Sequence, residues 1–287
     1  MYGPCSTMVR LTLLSHMRNE EALLPMWLAH HKTIFDHGII VDYDSTDRSR
    51  EIIREICPTW EVRPTTVRRE NGDAVFVPWF TDKELQRIEK ELDGFKQILN
   101  TTEFLVVTDP NIKETLKSTV IYTPTGWEMI GRAPADPTEL LELLDAVSCV
   151  ESTGGRSRVL HDQKPACYQA GRHALRGRTA TGARMKYTYH PAMFVFHLCT
   201  PFPYSERFYM RALGVKDILP RVYAGRVTGG RQHFKSRELF EECAAEQQKR
   251  AADAPNVWDM TPEPGTPEQA LHYWRAMVVA NQDGSCL

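Results

Sequence analysis

Between residues 9 and 109 the chain alternates short apolar runs with amphipathic stretches, and this pattern limits the fold more than any other feature. The runs Val9 to Leu14 and Ile39 to Val41 predict buried strands. Each run is followed by a stretch with apolar residues at helical spacing. The first of these helical stretches ends at Thr33 and the second at Ile56. Strands that alternate with helices form a mostly parallel sheet with helices on both faces. We therefore predict an α/β fold.

The remaining sequence adds further strands and helices to this plan. A strand is predicted from Glu61 to Val67, a helical stripe from Thr81 to Leu99, and a strand from Glu103 to Asp109. The second half mixes strands and helices, and its predicted elements are strands near Val120, Val159 and Met193 to His197, and helices from Pro137 to Val147 and Ser236 to Ala252. We expect one domain over residues 1–287, with a first half of residues 1–115, a mixed α+β second half of residues 116–260 and a C-terminal strap of residues 261–287.

Composition is that of a soluble globular protein, with 42% apolar and 25% charged residues. The net charge of -2 provides no overall attraction to nucleic acid, so no nucleic-acid partner is predicted. The seven cysteines form no Cys-x-x-Cys pair, which argues against a zinc framework. No stretch approaches the roughly 20 apolar residues of a membrane helix. We predict a cytoplasmic protein without a transmembrane segment.

Polar residues follow the first two predicted strands directly. The first group is Arg18-Asn19-Glu20-Glu21, and the second runs from Asp42 through Ser45 to Asp47. Because ligands of open parallel sheets bind at the carboxyl ends of the strands, we expect these groups and Asp109 to form one rim. Carboxylates and amides there can hydrogen-bond a base and a ribose. Asn19 and Asp47 are equally suited to capping helices, and capping is compatible with ligand contact.

These motifs resemble the opening of family 2-like glycosyltransferases of the GT-A fold. In that family an Asn-Glu-Glu loop, a Trp-Leu-x-x-His helix and an Asp-x-x-Ser-x-Asp turn follow one another, as the segments 19–21, 27–31 and 42–47 do here. The resemblance covers roughly the first 115 residues. It implies transfer of a sugar from a nucleoside-diphosphate sugar donor to a glycan or other acceptor hydroxyl, with inversion. The alternative is a catalytically silent relative that binds a nucleotide sugar or glycan.

The resemblance also implies roles for individual residues in the two halves. It assigns nucleotide-sugar binding to residues 1–115 and acceptor binding and catalysis to residues 116–260. A looser match in the second half adds a lysine at position 164. The implied donor-binding residues are Arg18, Asn19, Glu20, Asp42, Ser45, Asp47, Lys96 and Lys164.

The implied metal site departs from the family pattern. Asp109-Pro110-Asn111 occupies the place of the Asp-x-Asp element that holds Mn²⁺ or Mg²⁺, and its second aspartate is an asparagine. Either metal binding is weak and is completed by the diphosphate and another ligand such as His197, or a lysine or arginine stabilises the leaving group instead. Asp42-Tyr43-Asp44 is a literal Asp-x-Asp, but its position matches the nucleotide-recognition turn better.

An inverting transferase needs a base beside the acceptor hydroxyl. The candidate carboxylates are Glu114, Glu151 and Asp162, and His173 is a further candidate. Each histidine of the second half is a possible metal ligand, diphosphate contact or base, or a hydrogen-bonded structural residue. Phosphate-binding, dinucleotide-binding and serine-hydrolase motifs are absent from the sequence, which argues against those classes.

Overall fold

The computed structural model describes residues 9–76, 78–118, 120–131, 139–152, 158–164, 167–168, 175–176, 186–198, 245, 249 and 252–282. The strands are β1 (Leu11–Met17), β2 (His37–Asp42), β3 (Glu61–Pro64), β4 (Phe95–Ile98), β5 (Glu103–Val107), β6 (Val120–Gly131), β7 (Val147–Ser152), β8 (Leu160–His161), β9 (Cys167–Tyr168), β10 (Leu175–Arg176) and β11 (Lys186–Leu198). The helices are α1 (Leu24–His31), α2 (Ser49–Ile56), α3 (Pro78–Glu91), α4 (Ile112–Thr115), α5 (Leu140–Asp145) and α6 (Pro267–Gln282), and Val257–Asp259 forms a 3₁₀ turn.

Nine of the described strands form one sheet, in the order β3-β2-β1-β4-β8-β6-β11-β5, with β7 beside β6. The first four strands in this order are all parallel. Strand β8 is antiparallel to both β4 and β6, and β11 is parallel to β6 but antiparallel to β5. The predicted α/β class, with a mostly parallel sheet, is confirmed.

The direction of β5 contradicts one sequence prediction. Following the pairings across the sheet, β4, β6 and β11 run with β1, so β5 runs against it. Lys113, just beyond β5, lies 2.7 Å from Asp36 Oδ1, and the other oxygen of Asp36 accepts the amide of Leu11 at the start of β1. Asp109 therefore lies at the amino end of β1. The expectation that it shares a rim with Asn19 and Asp42 is wrong.

Apolar residues of the central strands alternate between two buried layers. Leu11 and Leu13 of β1 belong to the larger core, which includes Trp27 of α1. Leu14 belongs to a second core with Leu85 of α3. This alternation is what a strand covered on both faces requires.

The helical stripe predicted from Thr81 to Leu99 is broken near its middle. Helix α3 ends at Glu91, and Phe95–Ile98 form β4 instead. Between them Gly94 has a φ of 79°, a conformation that glycine adopts without steric cost. Apolar spacing alone did not reveal this break, because Phe95 and Leu99 continue the helical spacing of Leu85, Ile88 and Leu92.

The C-terminal strap contains a helix of sixteen residues, α6. Trp274 of this helix packs on Phe104 and Phe196, with ring centroids 5.2 and 5.8 Å away. Its Nε1 donates to His30 Nδ1 at 3.1 Å, which fixes α6 against α1. The predicted helix from Ser236 to Ala252 lies almost wholly outside the described residues. Within the described part of the chain, no helix is long and apolar enough to cross a membrane.

Candidate functional site

The loop after β1 and the turn after β2 are hydrogen-bonded into one unit. Met17 and Asp42 are register partners at the ends of these parallel strands. The amide of Asn19 donates to Ser45 Oγ at 3.0 Å, and the amide of Thr46 donates to Asn19 Oδ1 at 2.8 Å. Asn19 has a φ of 56°, a left-handed conformation that asparagine tolerates better than most residues. The two predicted groups therefore do lie together at the carboxyl ends of their strands.

Three more contacts extend this unit to the start of α2. The amide of Glu20 donates to Ser49 Oγ at 2.7 Å, and the amide of Glu21 donates to Asp47 Oδ2 at 3.0 Å. The other oxygen of Asp47 accepts the amide of Ser49 at 3.0 Å. Asp47 thus joins the first loop to the first turn of α2, which makes the rim rigid.

Asp42 is buried at the centre of the rim, with 2% of its surface exposed. Its Oδ1 accepts the amide of Ser45 at 3.0 Å, and its Oδ2 is ion-paired with Arg50, whose Nε lies 2.5 Å away. The Arg50 side chain is 42% exposed, so it presents a cation beside Asp42. Sequence reasoning missed Arg50, although its place in the first turn of α2, eight residues after Asp42, was a usable signal.

Asp44, the second acidic residue of the literal Asp-x-Asp, holds a neighbouring loop. Two nitrogens of the Arg68 guanidinium lie 2.8 and 3.0 Å from its carboxylate, and the Ala74 amide donates to it at 3.2 Å. The Arg68 guanidinium lowers the pKa of Asp44 below its usual value. This carboxylate is therefore engaged in an ion pair with Arg68.

The third strand end of the rim belongs to β4, because β4 is the parallel neighbour of β1. Ser15 Oγ of β1 donates to the carbonyl of Leu99 at 2.8 Å. The residues that follow are Asn100, Thr101 and Thr102, all of them buried. Sequence reasoning placed the third strand end at Asp109 and so missed this segment.

A buried ion pair stands behind this segment. Arg158 contacts both carboxylate oxygens of Glu103, at distances from 2.6 to 2.9 Å, and Glu103 Oε2 accepts the Asn100 amide at 2.7 Å. Burial by itself would raise the pKa of Glu103, but Arg158 and His197 hold it well below its usual range. His197 Nε2 lies 3.9 Å from Glu103 and 3.3 Å from Thr102 Oγ1. Thus His197, predicted as a metal ligand, lies at the rim without Asp109 or Asn111.

The same level of the sheet carries a row of polar side chains across four strands. In the register of the sheet, His197 of β11 lies opposite Glu103 of β5 on one side and Glu128 of β6 on the other. Glu128 in turn lies opposite Glu151 of β7. Directly paired residues on neighbouring strands project from the same face of a sheet. The predicted base Glu151 is therefore in one row with His197. Glu128 and Glu103 complete this row and were missed by sequence reasoning.

Three predicted site residues lie at the opposite end of β4. Lys96 is register partner of Thr12, near the amino end of β1, and is buried. Its Nζ donates to the carbonyls of Leu92 and Gly94 at 3.1 and 3.4 Å, and burial lowers its pKa. Lys164 is ion-paired with Asp93 at 2.9 Å, at the same end.

Asp162 is the third of these residues. It follows His161, whose register partner is Lys96, and it accepts a hydrogen bond from the Gln163 side chain at 2.5 Å. The structure therefore does not bring Lys96, Asp162 or Lys164 to the rim. His173 lies outside the described residues.

The third strand end of the rim does not offer the carboxylate ligands that a Mn²⁺ or Mg²⁺ ion prefers. In the described ranges, no group of three or more His, Cys, Asp or Glu side chains could hold a metal. Hard divalent cations prefer carboxylate oxygens, and after β4 the chain has an asparagine and two threonines. Glu103 would have to exchange its contacts with Arg158 to bind an ion. Within the described residues, the side chains at the rim therefore do not form a ready site for the implied metal.

No protein-family model matches the chain, and no curated protein matches its sequence. Among solved structures, S. aureus TarS 1-349 is similar over 96% of this chain and 92% of that chain, with 11% identity and a TM-score of 0.38. Glucosyl-3-phosphoglycerate synthase from Mycobacterium tuberculosis, in complex with Mn²⁺ and UDP, is similar over 44% of this chain and 50% of that chain. Its identity is 12% and its TM-score is 0.27. The bifunctional glycosyltransferase WbbM is similar over 43% of this chain and 24% of that chain, with 8% identity and a TM-score of 0.28. Because these TM-scores are low, the proposed function rests on the chain's own residues.

Proposed function

We propose that this protein is a glycosyltransferase that binds a nucleoside-diphosphate sugar at the rim and transfers the sugar to a glycan or other acceptor hydroxyl, with inversion. The observation that carries the proposal is the hydrogen-bonded unit formed by Asn19, Ser45 and Asp47 at the ends of β1 and β2. Ligands of open α/β sheets bind outside the carboxyl ends of parallel strands. A rigid set of amides and carboxylates there loses little entropy when it orders a base and a ribose.

The rim also carries the positive charge that a diphosphate needs. Arg50 is half-exposed next to Asp42, and Arg18 is half-buried in the first loop. A guanidinium can form two parallel hydrogen bonds with a phosphate group. In this proposal Arg50 moves from Asp42 to the diphosphate, and Asp42 then accepts a hydroxyl of the ribose.

The leaving group is stabilised by arginine rather than by a metal ion. Support comes from the segment Asn100–Thr102 and from Glu103, which is held by Arg158. Once the diphosphate is bound, the guanidinium of Arg50 stabilises the negative charge that develops on it, as a Lewis acid would. Activity should therefore persist in a chelator, and complete loss that manganese restores would contradict this part of the proposal.

The acceptor base is assigned to the row that contains Glu151. An inverting transfer needs a carboxylate that removes the proton of the acceptor hydroxyl as the sugar bond forms. Glu151 is half-buried on β7, opposite Glu128, and in register with His197 at the level of the rim. The sequence candidate Asp162 lies at the other end of β4 and is not retained.

One observation favours a second function, binding without transfer. The third strand end has Asn100 and Thr102 where catalysis with a divalent ion would use carboxylates. A silent relative would bind the nucleotide sugar or a glycan through the same rim. Product formation separates the two candidates.

The test is a panel of nucleoside diphosphates and their sugars, measured by calorimetry and by release of nucleoside diphosphate, with and without manganese. We expect one donor to bind and to be turned over. Binding without any turnover in the presence of acceptors would leave the silent relative, and no binding of any member would refute both the transferase and a silent relative that binds a nucleotide sugar.

Matched variants on α2 locate the site. Arg50→Gln should weaken donor binding about tenfold or more, as expected for a lost charged contact. Arg48→Gln is the control, because Arg48, which immediately precedes α2, is exposed and its ion pairs are with Glu51 and Glu55 of that helix. Equal effects of the two substitutions would place the donor elsewhere.

A further inference from the structure

A cavity of about 570 Å³ lies away from the rim, between α1, α6 and the segment that follows β5. Its walls are mainly apolar and include Met26, Ile34, Val106, Met277 and Val278. Small-molecule sites typically have volumes of about 300–1,000 Å³, apolar walls and a few polar groups. The cavity has the size and the lining of such a site, and the proposed transfer reaction makes no use of it.

The wall is held in place by hydrogen bonds between its own residues. Trp274 Nε1 donates to His30 Nδ1 at 3.1 Å, and His30 Nε2 donates to the carbonyl of Leu105 at 2.7 Å. With one ring nitrogen accepting and the other donating, His30 is the neutral imidazole. Burial lowers its pKa to about 4, so it adds no positive charge to the wall near neutral pH.

The charged residues of the lining leave an excess of negative charge. They are Asp109, Glu139 and Lys113. The Lys113 ammonium is neutralised by Asp36 at 2.7 Å. Asp109 Oδ1 accepts the Asn111 amide of its own loop at 2.9 Å, and no other hydrogen bond of its carboxylate is seen among the described residues. The Asp-Pro-Asn motif, which does not belong to the rim, therefore supplies an acidic group to a mainly apolar cavity.

We propose that this cavity binds a small amphipathic cation, in which an alkyl or aryl body fills the apolar part and an ammonium head is paired with Asp109. Charge complementarity selects the head, because the wall has two carboxylates and a lysine that is already paired. Apolar burial selects the body, and each buried methylene strengthens binding about fourfold. The proposal is independent of the donor site at the rim.

Calorimetry with three probes that share a ten-carbon chain tests the charge preference, with the two ionic probes kept below their micelle concentrations and the alcohol below its solubility limit. The probes are decyltrimethylammonium, 1-decanol and decyl sulfate. We expect the cation to bind more tightly than the alcohol by about fivefold or more, and the sulfate to bind more weakly than the alcohol. Equal affinities, or tighter binding of the sulfate, would overturn the proposal.

Two pairs of variants place the probe in the cavity. Ala29→Trp should abolish binding because Ala29 is an exposed residue of the cavity wall, whereas Ala276→Trp on the exposed face of α6 should not change it. Asp109→Asn should weaken the cation about fivefold and leave the alcohol unchanged, with Asp259→Asn as the exposed control. Asp109→Asn keeps the size of the side chain, so it remains informative if Ala29→Trp fails to fold. Cation binding that survives both Ala29→Trp and Asp109→Asn in folded protein would refute the assignment.

Discussion

The buried pair of Glu103 and Arg158 makes a quantitative prediction about stability. The two side chains are 5% and 7% exposed and are joined by contacts of 2.6 to 2.9 Å. Removing one partner of such a pair leaves an uncompensated buried charge and costs roughly 3–5 kcal/mol. We therefore expect Arg158→Met and Glu103→Leu each to lower the free energy of unfolding by about 4 kcal/mol.

The double variant should be more stable than either single variant. With both charges removed, the groups that lose a hydrogen-bond partner are neutral, chiefly the amide of Asn100, which donates to Glu103 in the parent protein. A buried amide without a partner costs about 1–3 kcal/mol, so the double variant should lose about 2 kcal/mol. The free energies are measured by urea unfolding at pH 7, followed by circular dichroism. For a chain of this size the single variants should also melt roughly 10 °C below the parent.

The pH dependence of the same pair supplies a second measurement. The pKa of Glu103 is lower in the folded protein than its usual 4.5, so its contribution to stability is complete above about pH 4.5 and is lost as the pH falls further. The double variant should lack this acid-dependent component. If the double variant loses the sum of the two single effects, or if the single variants lose less than about 1 kcal/mol, the reasoning about a coupled buried pair is refuted.

Three further predictions concern the core and the rim. Burial lowers the pKa of His30 from 6.5 to about 4, so stability should decline as the pH falls from about 6.5 toward 4. His30→Gln should make this decline smaller, and the remainder comes from the buried His31, whose pKa is also lowered. A parent whose stability does not change there would contradict the neutral assignment. Asn19 has a φ of 56°, so Asn19→Ala should be less stable in urea than Asn19→Gly by about 1 kcal/mol, and equal stabilities would argue against the left-handed conformation. A Cβ at Gly38 would lie 2.2 Å from the Trp60 ring, so Gly38→Ala should cost about 1–3 kcal/mol in urea unfolding, a loss that Trp60→Leu should partly relieve.

The first half of the fold was predictable because its signals are local. Apolar runs and helical spacing identified β1, α1, β2 and α2, and parallel neighbours must end at the same edge. That reasoning correctly brought Asn19, Ser45 and Asp47 together. Their hydrogen bonds join residues about 26 positions apart, yet both partners follow directly from the ends of adjacent strands.

The errors come from elements whose direction depends on distant pairings. Nothing within Glu103–Val107 indicates that this strand runs against β1, because its direction is set by β11, which follows more than 80 residues later. Asp109 was therefore assigned to the wrong edge. Lys96 was misplaced for a different, local reason: it lies beside Thr12 near the amino end of β1, and the carbonyls of Leu92 and Gly94 hold its ammonium there.

By itself, the sequence determined the alternating α/β plan and the two polar loops that meet at the ends of β1 and β2. These properties follow from the hydrophobic periodicity of each element and from the fact that adjacent parallel strands end at the same edge of the sheet. Only the tertiary structure decided that Asn100–Thr102 complete the rim, that Glu103 is paired with Arg158, and that Asp109 lines a separate cavity. The physical reason is that strand order and direction are set by long-range pairing in the sheet, which leaves no periodic trace in the residues of any one strand.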